Sequence, residues 1–214
     1  MSGQRLSNRS LSMQRRIVLP SLLFVTLTAS CESPRAGTPD PPPMSPEEMM
    51  AAVVELGTPG AEHRVLEPML GTFRAALTMW AEPGTEPMTS TGTMHSFWMF
   101  GGRFLRGDYV GDWMGQRFEG LSLFGYDKAQ GVYVGTWCDS MSTALAPIST
   151  GHASADGSRL EMTKRMHDFT TGEDALVRDV VLLDGPDAHT HEMYVTRAGG
   201  EEFLNMRIEY TRAE

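Results

Sequence analysis

Cysteine is almost absent from this chain of 214 residues, which contains only Cys31 and Cys138. So few thiols exclude a disulfide-rich secreted scaffold. If Cys31 is acylated, as considered below, Cys138 has no partner and no internal disulfide exists. The fold therefore depends on a hydrophobic core, and the 41% share of hydrophobic residues is sufficient for one.

Basic residues are also few, with 18 Lys and Arg against 27 Asp and Glu, and a net charge of −9. Four of the arginines, Arg5, Arg9, Arg15 and Arg16, lie in the first 31 residues, which contain no acid. The rest of the chain is therefore strongly acidic and repels phosphate backbones. We expect no nucleic-acid partner, and no basic stripe indicates binding to an anionic membrane surface.

Long apolar runs are missing too. The longest, from Ile17 to about Thr28 in "MQRRIVLPSLLFVTLTASC", is too short to cross a bilayer comfortably as a helix. Two arginines before it and small residues after it indicate a secretory signal peptide, for which Met13 could be the start. Alternatives are cleavage by an ordinary signal peptidase near Ala29 or Ser30, or an uncleaved membrane anchor.

"LTASC" resembles a bacterial lipoprotein lipobox, with Thr28 where leucine is usual. This resemblance implies that Cys31 is acylated and becomes the first residue of the mature protein. We therefore expect a lipoprotein-type signal peptide over 1–31 and a proline-rich disordered linker over 32–44. The protein would be exported to the cell envelope or periplasm and would contact the membrane only through its lipid anchor.

The remaining residues, 45–214, are predicted to form one domain. Ser45 and Glu48 have the spacing of a capping box, with Pro46 at the first helical position, and Gly57 ends the predicted helix. "AEHRVLEPML" predicts a second short helix that ends at Gly71. One of these helices is expected to cover an end of the structure that follows.

Beyond Gly71, short segments of alternating apolar and polar residues follow one another, separated by Gly-rich or Asp/Gly turns. The turns are too short for crossover helices, so the strands must be antiparallel, and closure into a barrel protects their edges. The sequence thus predicts an all-β, antiparallel up-and-down barrel of about ten strands, and the family resemblance given below implies that it is lipocalin-like (calycin-like). In the last strand, Leu204, Met206, Ile208 and Tyr210 are predicted to share one face. The strands are predicted near 72–81, 90–100, 103–112, 116–126, 131–139, 143–153, 158–167, 175–184, 188–197 and 202–212.

Several blocks resemble the bacterial domain of unknown function family 1579 (DUF1579). They are "AEHRVLEPMLGTF", "GGRFL", "FEGLSLFGYD", "YVGTWCDSMS", "EMY" and "EYTR", and the resemblance spans about residues 58–212. It implies a barrel similar to lipocalins and nitrobindin-like proteins. It implies no established activity.

His189 and His191 share a strand face with Met193 and Val195. If this face points inward, both histidines line the barrel interior. One imidazole could bind haem iron, as in nitrobindin-like barrels, and two with Met193 could hold a soft metal. Alternate residues of one strand seldom complete a metal site alone. We therefore favour pocket-lining histidines and predict no metal or cofactor, with a haem or metal site at His189 and His191 as the alternative.

Tyr133, Trp137 and Asp139 share a face of another strand and would form an aromatic wall with one acid, suited to a polar-headed small molecule. Alternatively, Trp137 seals the barrel and Asp139 caps the following turn. Arg106 and Asp108 also share a face and could orient a carbonyl or carboxylate inside. The alternative for this pair is a charged patch on the outer surface.

Familiar catalytic motifs are missing: there is no Gly-x-Ser-x-Gly, no phosphate-binding loop and no His-Glu-x-x-His. We therefore predict a protein that is not an enzyme and that binds a small hydrophobic or amphipathic molecule inside the barrel. The predicted site contains Arg106, Tyr133, Trp137, Asp139, His189, His191 and Met193. The remaining alternative is an interaction module of the cell envelope that binds no ligand.

Overall fold

The structure is a computed structural model and describes residues 43–214. The predicted signal peptide, Cys31 and nearly all of the predicted linker lie outside these residues. The described part forms a closed antiparallel barrel of ten strands that follows two short helices. The predicted fold class is confirmed.

The first helix, α1, spans Pro46–Gly57. Its predicted capping box is present: the amide of Glu48 donates to Oγ of Ser45 at 3.2 Å, and the amide of Ser45 donates to the Glu48 carboxylate at 2.8 Å. A single-turn helix, α2, spans Ala61–Arg64, and a 3-10 turn spans Glu67–Met69. None of the described helices is long and apolar enough to pass through a bilayer.

Every strand pairs antiparallel with the next one in the chain, and the last pairs with the first. Each strand therefore has a paired neighbour on both sides, which removes the edge strands of an open sheet. The strands are β1 Gly71–Met79, β2 Met88–Met99, β3 Phe104–Trp113, β4 Gln116–Asp127, β5 Val132–Asp139, β6 Ser149–Ala153, β7 Arg159–Asp168, β8 Glu173–Leu183, β9 Ala188–Thr196 and β10 Phe203–Arg212.

Strand β6 is six residues shorter at its start than the sequence predicts. Pro147 has no N–H group to pair with a neighbouring strand. The loop before it is held to β5 by a different pattern, in which the amide of Ala146 donates to the Trp137 carbonyl at 2.8 Å. The Thr136 hydroxyl donates a hydrogen bond of 2.7 Å to the Ala146 carbonyl.

Strand β10 contains a bulge that the sequence did not reveal. The register with β9 shifts between Leu204 and Met206, so that Phe203 pairs with Val195 and Leu204 with Tyr194. The extra residue at Asn205 rotates the start of the strand by one position. The prediction that Leu204 shares the inner face of Met206 is therefore wrong, and Phe203 takes that place.

One end of the barrel is closed by the segment between α2 and β1. Leu66 is fully buried and Met69 nearly so, in a cluster with Leu105, Leu160 and Leu183 from the strand ends. Burying a side chain of this size contributes about 1.5–3 kcal/mol. Helix α1 does not close the end, because its apolar side chains remain largely exposed: Met49, Met50, Val53, Val54 and Leu56.

Candidate ligand site in the barrel interior

Strand register determines which side chains face the interior. Leu160 of β7 pairs with Val181 of β8, which pairs with His191 of β9. Leu160 and Val181 belong to the core that the barrel encloses. Residues two positions away along each strand share this face. Lys164, Asp179, His191 and Met193 therefore all point inward.

Three of these side chains form a group that we call the polar triad: Lys164, Asp179 and His191. The Lys164 ammonium donates a hydrogen bond to Oδ2 of Asp179. Nε2 of His191 lies 3.1 Å from Oδ1 of Asp179, and since a carboxylate only accepts, this nitrogen carries the proton. Asp179 is 3% exposed. Burial opposes its charge, but the hydrogen bond from His191 and the charge of Lys164 together lower the pKa of Asp179.

His189 occupies a drier position nearer the closed end. Its ring stacks on Tyr210 with centroids 4.4 Å apart and meets the Phe73 ring edge-on at 4.6 Å. The residue is 3% exposed, and its Nδ1 is buried without a hydrogen-bond partner. Burial, together with His191 and Arg212, lowers the pKa of His189 to about 4, so its imidazole is neutral at pH 7.

Another part of the interior is lined by Tyr109, Phe118 and Trp137, which we call the aromatic wall. Phe118 and Trp137 stack with centroids 6.4 Å apart, and Tyr109 meets Trp137 at a steep angle. Nε1 of Trp137 donates to Oδ2 of Asp139 at 2.8 Å, which fixes the ring. The other Asp139 oxygen accepts from the amide of Met141 at 2.9 Å and caps the turn. The turn-capping role considered for Asp139 is thus present, and its contact with a ligand stays a prediction.

Glycines on adjacent strands allow the Trp137 and Tyr109 rings to pack closely against the backbone of the barrel. A Cβ added at Gly120 would lie 2.1 Å from the Trp137 ring, and one at Gly92 would lie 2.3 Å from the Tyr109 hydroxyl. Any larger residue at either position would push the ring toward the barrel axis. The observed positions of the two rings therefore require glycine at both sites.

The aromatic wall and the polar triad are connected through Ile208. Ile208 of β10 pairs with His191 and belongs to the same hydrophobic cluster as Tyr109, against which Trp137 packs. The His191 side chain is 23% exposed although it faces inward. Trp137 and Met193 are half-buried. Water therefore reaches part of the interior.

The structure does not bring two of the predicted site residues to this space. Tyr133 is 5% exposed in the cluster of the closed end, and its hydroxyl donates to the Glu62 carbonyl at 2.9 Å. Arg106 alternates with the buried Leu105 and lies on the outer surface, where its Nε donates to Asp108 at 2.7 Å. The outer charged patch considered for Arg106 is what the structure shows.

A groove of about 480 Å³ lies outside the barrel, between the end of α1 and the outer surface of β3 to β6. Its floor is largely apolar, and Lys128 at its margin donates to the Glu55 carbonyl at 2.6 Å, which holds the end of α1. Binding to the interior must therefore be distinguished from binding in this groove. Apolar side chains of the lining include Leu56, Phe104, Leu123, Val134 and Ile148.

Within residues 43–214, no three His, Cys, Asp or Glu side chains are grouped so that they could hold a metal ion. The haem alternative needs only one histidine with an accessible nitrogen. His189 does not fit, because its ring is enclosed between Phe73 and Tyr210. His191 fits better, since Asp179 fixes its Nε2 proton and leaves Nδ1 as the nitrogen with a free lone pair.

Comparison with known proteins supports the fold. Residues 58–212 match the family described as "Protein of unknown function (DUF1579)". The chain belongs to this family. No curated protein matches the DUF1579 chain.

Two solved structures are similar to the DUF1579 chain at low sequence identity. Rv2717c from M. tuberculosis is 13% identical with a TM-score of 0.54, over 73% of this chain and 100% of that one. The S-type phycobiliprotein lyase CPES from Guillardia theta is 12% identical with a TM-score of 0.49, over 73% and 99% of the two chains. The likeness to Rv2717c supports the barrel fold and says nothing about function.

Sequence reasoning missed two central residues of the DUF1579 barrel, Lys164 and Asp179. Both break an apolar face: Lys164 lies between Met162 and Met166, and Asp179 between Val177 and Val181, at alternate positions. A charged side chain in the middle of an inward face is the signal that could have identified each of them. Their pairing depends on the register of β7 with β8.

Proposed function

We propose that this protein binds a small, largely apolar molecule inside the barrel. The observation that supports this most is the combination of the glycine-backed aromatic wall with an inward polar triad. The wall offers flat apolar surface and the triad offers directed hydrogen bonds, which together are the usual composition of a small-molecule site. The proposal is for binding without catalysis.

Titration with the uncharged fluorescent probe N-phenyl-1-naphthylamine tests the proposal. We expect saturable enhancement of probe emission by the purified domain. Met193→Trp, which fills interior space beside Asp179, should abolish it, whereas Ile148→Asp, in the outer groove, should leave it unchanged. Thermal unfolding would confirm that both variants fold. No saturable binding by the unmodified domain would favour an interaction module without ligand.

A second candidate is a haem-binding barrel, favoured by one observation. Histidines that bind metals usually donate their other ring N–H to a carboxylate, and His191 is held by Asp179 in this way. Haem when bound would supply redox or gas-binding chemistry, and the chain's own part would be to orient the imidazole. Addition of haem should then give an absorbance spectrum that His191→Ala changes and His152→Ala does not. Identical spectra for the two variants would exclude this candidate.

We also propose that the protein is exported and anchored to the membrane by acylation of Cys31. The signal-like segment and the lipobox-like "LTASC" support this. Labelling of cells with a radioactive fatty acid should mark the wild-type protein and not Cys31→Ser, and only the variant should be recovered in the soluble fraction. Equal labelling of both would contradict acylation at Cys31.

A further inference from the structure

Lys164 has more hydrogen-bond donors than its surroundings use. An ammonium group carries three N–H donors. Among the described residues its hydrogen bond goes to Asp179, and its side chain is only 12% exposed. Donors enclosed in this way favour an acceptor oxygen beside them, because unpaired polar groups are costly to bury. The interior beside Lys164 therefore favours a hydrogen-bond acceptor.

The charges around Lys164 disfavour an anion as that acceptor. Asp179 already neutralises Lys164, and the contacts of Asp139 are with the N–H groups of Trp137 and Met141 and not with a cation. At the end opposite Leu66, Arg197 is shared between Asp168 and Glu82. Carboxylates therefore outnumber cations along the interior, and this field repels an entering anion. The Asp, Glu, Lys, Arg and His side chains at inward positions of the strands are Asp139, Lys164, Asp168, Glu173, Asp179, His189, His191 and Arg212, the last at the closed end, and Arg197 lies at the opposite rim.

The aromatic wall determines the shape of the molecule that fits. Trp137 and Tyr109 pack over Gly120 and Gly92, and Trp137 is half-buried on an inward-facing position of β5. Met193 and Met206, paired on β9 and β10, add flexible side chains that adapt to a ligand. A flat, rigid body stacks on such a surface with little loss of conformational entropy.

We propose that the ligand is an uncharged molecule with a flat apolar body and a carbonyl-type oxygen, and that this oxygen accepts a hydrogen bond from Lys164. This rests on the proposed function, binding inside the barrel. A hydrogen bond from a charged donor is stronger than one between neutral groups. The Lys164 contact therefore selects for the carbonyl, and the aromatic wall selects for the body.

Three compounds with the same methoxynaphthalene ring system separate the contribution of the Lys164 contact from that of the aromatic wall. The compound 6-methoxy-2-acetonaphthone carries a ketone, 2-methoxynaphthalene has no head group, and 6-methoxy-2-naphthoic acid carries a carboxylate. Calorimetry and quenching of tryptophan emission would give their Kd values. The variant is Lys164→Met with Asp179→Asn, which removes both charges together and keeps an acceptor for His191. Arg165→Met, on the outer face of the same strand, is the control.

We expect the ketone to bind the wild type at least tenfold more tightly than either other compound. The double variant should lose this preference without a change in the affinity for 2-methoxynaphthalene, and Arg165→Met should retain it. Tightest binding of the carboxylate, or a ketone preference that survives in the double variant, would overturn the inference alone. No saturable binding of any of the three compounds by the wild type would overturn the proposed function and this inference with it.

Discussion

His191 and Asp179 lie on adjacent strands of the barrel, and the imidazole donates its Nε2 proton across 3.1 Å to a carboxylate that is 3% exposed. Lys164 binds the second oxygen of the same carboxylate. A buried charge of this kind is tolerable only while its partners remain. The stability of the fold and the proposed selection of a ligand therefore depend on the same atoms of the polar triad.

Removal of one member of the triad is expected to destabilise the fold more than removal of two. Lys164→Met leaves the Asp179 carboxylate buried without its cation, and we expect a loss of about 3–5 kcal/mol. Lys164→Met with Asp179→Asn removes both charges and should recover most of this loss. Urea denaturation at pH 7 measures these free energies of unfolding. Equal stability of Lys164→Met and the exposed-site control Arg165→Met would contradict the prediction.

Stability should fall as the pH drops from about 6.5 to 4, in part because of His189. Its folded pKa is about 4, below the ordinary histidine value of 6.5. The unfolded chain therefore binds a proton on His189 that the folded chain does not bind. This difference lowers the free energy of unfolding by roughly 3 kcal/mol at pH 4. His189→Leu removes this contribution and should flatten the pH dependence, whereas His152→Gln, at an exposed position, should not.

Denaturation curves at several pH values between 4 and 7 provide the measurement. Burial also lowers the pKa of His63, so a smaller slope should remain in His189→Leu. An unchanged slope in that variant would show that His189 is protonated in the folded state, and therefore less enclosed than its contacts with Phe73 and Tyr210 indicate.

The sequence was sufficient to predict the barrel because its strands alternate and its turns are short. Ser45, Pro46 and Gly57 located α1 correctly, because capping is a local property. The bulge at Asn205 could not be predicted, since it depends on contacts with the distant Trp80. The Trp80 amide donates to the backbone carbonyl of Asn205, and the Asn205 side-chain amide donates to the Trp80 carbonyl, both at 2.8 Å.

The candidate site was predicted only in part, for a related reason. The inward face of His189, His191 and Met193 follows from alternation within one strand. Which acid meets His191 depends on the register between β8 and β9. For Arg106, a strand sequence with charge on one face is compatible with either side of a barrel, and only closure of the barrel decides between them.

Gly120 is expected to be intolerant of a side chain because of Trp137. The Cβ of Gly120→Ala would lie 2.1 Å from that ring, so the ring must move toward the barrel axis. We expect a loss of about 1–3 kcal/mol in stability, a shift in tryptophan emission and weaker binding of N-phenyl-1-naphthylamine. The matched control is Gly57→Ala, where nothing lies within 4 Å of the added Cβ. Full probe binding by Gly120→Ala would show that the interior does not need the flat position of Trp137.

The closed end and helix α1 should respond differently to truncation of apolar side chains. Leu66 is fully buried between strand ends, so Leu66→Ala leaves a cavity and should cost about 2–5 kcal/mol. Val54 is 60% exposed on α1, and Val54→Ala should change stability by no more than about 0.5 kcal/mol. Thermal and urea denaturation of the two variants measure the difference. If Val54→Ala were as damaging as Leu66→Ala, α1 would contribute to the folded core, and its exposed apolar side chains would need a partner within the same chain.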